Sequence, residues 1–137
     1  MKTLHTSKHY LAYNHEKAGL IMKTIKVSEL SGAAIDWAVA SIEENVPVAE
    51  FIELEKLPDT DYVWKYRYST NWAQGGPIIE REGIAFSKST ASSQAWRAGM
   101  HGMAMTCYGP TPLISAMRCY VASKLGDYVE VPKELLC

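Results

Sequence analysis

This chain of 137 residues lacks the common signatures of enzyme chemistry. It has no HExxH, no Gly-x-Ser-x-Gly, no Walker-type phosphate loop and no GxGxxG, so zinc hydrolysis, a serine elbow and the familiar nucleotide-cradling turns are all excluded. Cysteine is scarce. Cys107, Cys119 and Cys137 are an odd number without CxxC spacing, which rules out a disulfide framework or a zinc ribbon and fits a reducing cytoplasm. Cys107 and Cys119 read as small core residues and Cys137 as a loose terminal thiol. No apolar run approaches the roughly 18 residues of a membrane span, and the N-terminus has no secretory pattern. A soluble protein without a membrane partner is the expectation. Net charge is absent too: 14 basic and 15 acidic side chains leave -1, so no global field draws in a polyanion, and nucleic acid is not an expected partner.

What is present suits one globular domain, with 47% hydrophobic and 21% charged residues. A chain of this length buries roughly two-thirds of its unfolded surface, enough for a core without staples. Met22-Lys23-Thr24 echoes Met1-Lys2-Thr3, so residues 1–21 read as an extension from an upstream start and 22–137 as the single domain. His5, His9 and His15 lie in that extension with no cysteine or carboxylate cluster to complete a metal site, and no metal or cofactor is expected.

Ile25–Val27 reads as a short strand, and Ser28 or Ser31 caps a helix to about Glu44. On a helical wheel Ala34, Ile35, Ala38, Val39 and Ile42 form the apolar stripe, leaving Asp36 and Glu43 outside it. Trp37 points roughly 130° from the stripe, which suits local packing, a partner chain or a ligand. Val48–Leu54 reads as a strand, and Tyr62, Trp64, Tyr66 and Tyr68 alternate with Lys65 and Arg67 as a second one. Its aromatic face resembles a base-stacking platform as well as an ordinary sheet face.

The stretch Tyr68 to Glu82 is the most unusual. Thr70 is placed to cap, Gly75 and Gly76 permit close backbone approach, and Pro77 stands where a first helical residue would. Free N–H groups there, beside Tyr68, Ser69, Thr70, Asn71, Trp72 and Gln74, would suit an anionic or polar ligand, with Arg81 close by in sequence. Glu80 and Glu82 are two apart on a helix and make a poor acid/base pair. His101 between glycines has no nucleophile to serve. The residues therefore point to a binding module rather than an enzyme.

Strands are expected at Ile84–Phe86, Ala95–Ala98 and Met103–Tyr108, with an edge strand at Tyr128–Val131. Between them lies the clearest helix, with Thr111 as cap, Pro112 first and Gly126 as stop. Its core stripe is Leu113, Ile114, Met117, Val121 and Leu125. Its back, Ser115, Cys119, Ala122 and Ser123, is uncharged, so this helix is expected to be covered on both sides, by a sheet and by a second layer or subunit. Ser115, Cys119, Ala122 and Trp37 are thus the candidate homo-oligomer or partner interface, and Arg118 at the stripe's edge a candidate for snorkelling, for a Glu80 or Glu82 pair, or for an anion.

Four blocks carry a resemblance: Lys26-Val27-Ser28-Glu29-Leu30-Ser31-Gly32, Asp36-Trp37-Ala38-Val39-Ala40, the run from Ser69 to Glu82, and the run from Gly109 to Val121. Together they resemble the NinX-like family of small bacteriophage accessory proteins, from Met22 to about Leu135. That family's usual start falls near Met22. This chain has Asn71 where the family often has an aspartate, so no carboxylate stands there. The family is in turn similar to phage ABA-sandwich domains, which share the Tyr-Ser-Thr helix entrance. The resemblance implies an α+β fold, an α-β-α layered sandwich with a mostly antiparallel sheet and about three helices, working in the host bacterial cytoplasm. It implies no biochemistry. From residues and context together, the leading expectation is a non-enzymatic binder that sequesters a small anionic ligand, a nucleotide immune signal of host antiphage defence. Its site would be formed by Tyr68, Ser69, Thr70, Asn71, Trp72, Gln74, Gly75, Gly76, Arg81, Thr111 and Arg118. The alternatives are a protein-interaction module and a single-stranded nucleic-acid accessory.

Overall fold

The computed structural model describes residues 19–90 and 93–136, so the expectations for most of the extension, with its three histidines, and for Cys137 lie outside the described residues. Strand β1 (Met22–Lys26) runs through a 3-10 turn, Val27–Glu29, into helix α1 (Gly32–Glu44), followed by α2 (Val48–Glu55) and α3 (Trp72–Glu82). Strands β2 (Ile84–Lys88), β3 (Trp96–Met100) and β4 (Thr106–Gly109) come next, then α4 (Pro112–Leu125) and β5 (Tyr128–Pro132). The α+β class and the antiparallel pairing are as expected. Four α-helices stand among the described residues where about three were expected, and the strands divide between two sheets.

One sheet is a meander, β2-β3-β4, with Phe86 opposite Ala98 and Ala98 opposite Cys107. The other joins β1 to β5, Met22 facing Pro132 and Lys26 facing Tyr128. Helix α4 runs between the three-stranded sheet and helices α1 and α3. Every residue from Ser115 to Val121 is buried, and Ala122 too. This explains the uncharged back seen in the sequence. A face under a sheet must bury its polar groups satisfied, and Ser115 Oγ donates to Pro112 O (2.9 Å) while Ser123 Oγ donates to Tyr120 O (2.7 Å). The covering comes from this chain itself, so Ser115, Cys119 and Ala122 are not exposed as an interface.

Trp37 is likewise corrected. Its side chain is 0% exposed because α1 is buried from Ala34 to Ile42, all round rather than along one stripe, and Asp36 is buried with it. A wheel calculation assumes one solvent face, and α1 has almost none.

Two expected strands are absent. Val48–Glu55 is helical because its buried residues, Val48, Phe51 and Ile52, recur at helical spacing among the good helix formers alanine, glutamate and leucine. Tyr62 to Tyr68 joins no sheet. Its alternation survives in the side chains: Tyr66 stacks on Phe51 (5.9 Å, 19°) and on Tyr68 (6.2 Å, 16°), with Trp64 edge-on at 4.6 Å. On the other side Lys65 donates to Leu57 O (2.5 Å), and Arg67 pairs with Glu55 (2.7 Å). Gln74 stands in for a neighbouring strand, accepting from Arg67 N at 2.7 Å and donating to Lys65 O at 3.0 Å.

At Gly75 the backbone of α3 packs tightly against the rest of the domain. A Cβ there would run into the Tyr68 carbonyl oxygen and come within 2.7 Å of Leu113 Cδ1. Gly75→Ala should therefore overpack this contact and cost about 1–3 kcal/mol, whereas at Gly76 an added Cβ would meet nothing nearer than the Trp72 ring at 3.9 Å. Thermal melts of the two alanine variants check this. Equal melting temperatures would show that α3 shifts freely.

Candidate ligand-binding site at two helix N-termini

Helix α3 begins after Asn71, whose side chain accepts from Ala73 N at 2.9 Å, so the cap is one residue later than expected and Pro77 lies inside the helix. Helix α4 begins as the sequence indicates, with Thr111 Oγ1 accepting from Ile114 N at 3.0 Å and Pro112 in the first turn. The two starts meet. Ser69, Thr70 and Trp72 from one and Thr111, Pro112 and Leu113 from the other line a single cavity of about 180 Å³.

Buried polar contacts fix this corner. Asp36 Oδ1 accepts from both Ser69 N and Ser69 Oγ, each at 2.8 Å, which ties the start of α3 to the middle of α1. Burial pushes the Asp36 carboxyl up to about 6, against the opposing pull of the Ser69 hydrogen bonds and Arg67. Tyr68, just before it, is buried and donates to Glu44 (3.1 Å); burial and that carboxylate raise its phenol well above the ordinary range.

Trp72 at the cavity's rim is 48% exposed. Its ring lies 5.9 Å from Phe86, Phe86 lies 6.2 Å from Trp96, and Lys88 Nζ sits 5.4 Å from the Trp96 ring centre. An aromatic strip ending in a cation thus leads away from the two helix starts. Sequence reasoning missed Phe86, Lys88 and Trp96. Phe86 and Lys88 share one face of β2 and Trp96 opens β3, and the register that sets Lys88 opposite Trp96 was not legible in the sequence.

Of the expected site residues, Ser69, Thr70, Trp72 and Thr111 are brought together. Gln74 and Asn71 line another cavity, of about 380 Å³, with Asp59, Lys65 and Arg67. Gly75 serves packing and Gly76 stands beside Trp72. Neither arginine lines the 180 Å³ cavity. Arg81 grips Glu43 with both terminal nitrogens (3.0 and 2.6 Å) and also donates to Tyr120 Oη, 3.1 Å away. The Tyr120 hydroxyl in turn donates to Glu43 in a short hydrogen bond. Burial alone would raise the Glu43 carboxyl, but the bonds from Arg81 and Tyr120 outweigh it and hold it below the usual range. Arg118, 5% exposed, donates to Leu30 O (2.8 Å), Tyr108 O (2.7 Å) and Gln94 Oε1 (3.0 Å). It is a brace between segments, not an anion clamp.

Chemically, the corner offers the positive ends of two helix dipoles, a threonine hydroxyl and a flat apolar face. The one hydroxyl of the lining bonded to a carboxylate is that of Ser69, which donates to buried Asp36, and among the described residues no group of three or more histidine, cysteine, aspartate or glutamate side chains is placed to hold a metal. The family model described as "Bacteriophage P22, NinX" matches residues 26–124, well over half of the chain.

The chain belongs to the NinX family. No curated protein matches it at a significant level. The NinX match spans α1 to the last turn of α4 and so includes both helix starts and the aromatic strip. No helix among the described residues is long and apolar enough to cross a membrane.

The Asp36 tie is open to a pH test. Its folded value of about 6 lies above the ordinary 3.8, so within that window the folded state holds the proton more tightly than the unfolded chain. Stability therefore falls as pH rises towards 6 and is level above it. Asp36→Asn keeps an acceptor for Ser69 without the charge. It should raise the melting temperature at pH 7 by several degrees and flatten the slope across the window. A lower melting temperature at pH 7 would mean that the charge itself holds Ser69.

Proposed function

We propose that this NinX protein is a non-enzymatic phage accessory protein that binds and sequesters a small anionic ligand carrying a flat ring, of the nucleotide class. The observation that supports this is the convergence of two helix N-termini on one cavity beside an exposed tryptophan. A cavity of about 180 Å³ has room for a phosphate-sized group, and the backbone N–H ends of two helices favour negative charge there. The ring then lies on Trp72, with the strip towards Phe86 and Trp96 continuing the stacking surface. In a bacteriophage family the fitting ligand is a nucleotide signal of host antiphage defence, withdrawn from its receptor by binding alone.

The protein-partner reading has lost the residues that motivated it, and the nucleic-acid reading keeps two of its four aromatics at the surface. Trp37 and the back of α4, named for a protein partner, are buried inside the chain. In the set named for single-stranded nucleic acid, Tyr68 is buried and Tyr66 stacks on it and on Phe51, while Tyr62, at 97%, and Trp64, at 57%, stay exposed.

Titration with nucleoside monophosphates, cyclic nucleotides and inorganic phosphate, followed by tryptophan fluorescence and calorimetry, tests the proposal. Saturable binding of at least one nucleotide is expected. Trp72→Ala should weaken it by about tenfold or more, since stacking of one base is worth about 1–3 kcal/mol. Thr70→Glu, at an exposed position, should abolish binding while leaving the melting temperature nearly unchanged. Binding that survives both substitutions, or no binding of any of these anions, would overturn the assignment.

A further inference from the structure

The hairpin that joins β3 to β4 concentrates the chain's thioethers. Three of the six methionines, Met100, Met103 and Met105, and one of the four histidines, His101, fall within six residues, whereas Met1, Met22 and Met117 are scattered. The backbone gathers these side chains. Met103 N donates to Met100 O at 3.1 Å, closing a tight turn over His101 and Gly102, and Gly102 supplies the positive φ of 83° that the turn uses. Gly99 pairs with Thr106, so Met100 and Met105 are the next residues along the two legs. A Cβ on Gly99 would lie 3.6 Å from Met105 O, a measure of how close the returning leg runs. Met100 and Met105 are partly buried against the core, and Met105 also lines a groove of about 600 Å³ beside β4, so its leg is reachable from solvent. Core packing accounts for those two. It gives no reason for Met103, 38% exposed, or for His101, exposed at the tip.

We propose that this hairpin is a binding site for a soft monovalent cation, Cu(I), held by the thioethers of Met100, Met103 and Met105 and by the His101 imidazole. Hard ions such as Mg²⁺ and Ca²⁺ take oxygen ligands, whereas Cu(I) accepts thioether sulfur and imidazole together. Charge points the same way. Residues 99–109 contain no aspartate or glutamate, so all four donors are neutral and a divalent ion would keep its full charge uncompensated. Cu(I) brings only one charge. Its closed shell imposes little geometry, and methionine, unbranched with three rotatable bonds, lets sulfurs from both legs and the turn converge on one ion.

Bound Cu(I) ties the turn to the ends of β3 and β4. The hairpin shares no residue with the cavity at the two helix starts, so this site stands independently of the nucleotide reading. Its donors also differ in kind from the histidine, cysteine and carboxylate clusters that zinc or calcium sites use.

Methionine-methyl carbon-13 spectra of the full chain test the site, with Ag(I) as the redox-inert probe and then Cu(I) under anaerobic, reducing conditions. One equivalent should move the methyl signals of Met100, Met103 and Met105 and leave those of Met22 and Met117 in place. Thiolates also bind Cu(I), so the titration is repeated on a Cys107→Ser/Cys137→Ser protein, which should keep one ion and the same shifts. Competition with the chelator bicinchoninate reads affinity. Met103→Leu, a volume-conserving change at an exposed position, should weaken Cu(I) by about tenfold or more with the melting temperature unchanged. Unmoved hairpin methyl signals, loss of the ion with the two cysteines, or full affinity in a folded Met100→Leu/Met103→Leu/Met105→Leu protein would overturn the assignment.

Discussion

Helix α4 is covered on all sides, and that one constraint runs through the rest of the molecule. A helix with eight consecutive buried residues cannot carry an ordinary polar face, so each position must be apolar, small or internally satisfied. Arg118 is the exception that shows the rule. Its charge is buried, and it is met by two backbone carbonyls and the Gln94 amide from three different segments, which makes a costly group into a joint between them. The first turn of the same helix forms half of the cavity at the two helix starts.

Much of this was legible in the sequence where local chemistry decides. Thr111, Pro112 and Gly126 announce both ends of α4, and the strands β2 to β5 fall close to where alternation and turn residues place them. Reading failed where tertiary surroundings decide. Trp37 and Asp36 look misplaced only if α1 has a solvent side, and the Tyr62 to Tyr68 alternation is real but is satisfied by Phe51 and Gln74 rather than by a strand.

The site divides in the same way. Thr111 was recognisable because capping is local, and at α3 the expectation on Thr70 missed the cap, Asn71, by one residue but still found the helix start, which exposes N–H groups wherever it occurs. The two arginines were not, because a guanidinium chooses its partners across the fold: Arg81 finds Glu43 and Tyr120, and Arg118 finds carbonyls. In the function proposed above, anion binding at the corner rests on backbone dipoles, whose placement follows from packing, with Gly75 setting how closely α3 lies against Leu113.

The pairing of β1 with β5 joins the first and last strands of the domain, Met22 against Pro132. Almost the entire chain forms the loop that this pairing closes, so its entropy cost is met only after the intervening segments have packed. During synthesis β1 has no partner until β5 has left the ribosome. The turn at Val27–Glu29, whose Val27 N donates to Asp127 O at 2.9 Å, leans on that long-range pairing, whereas the β2-β3-β4 meander is built from neighbours in sequence.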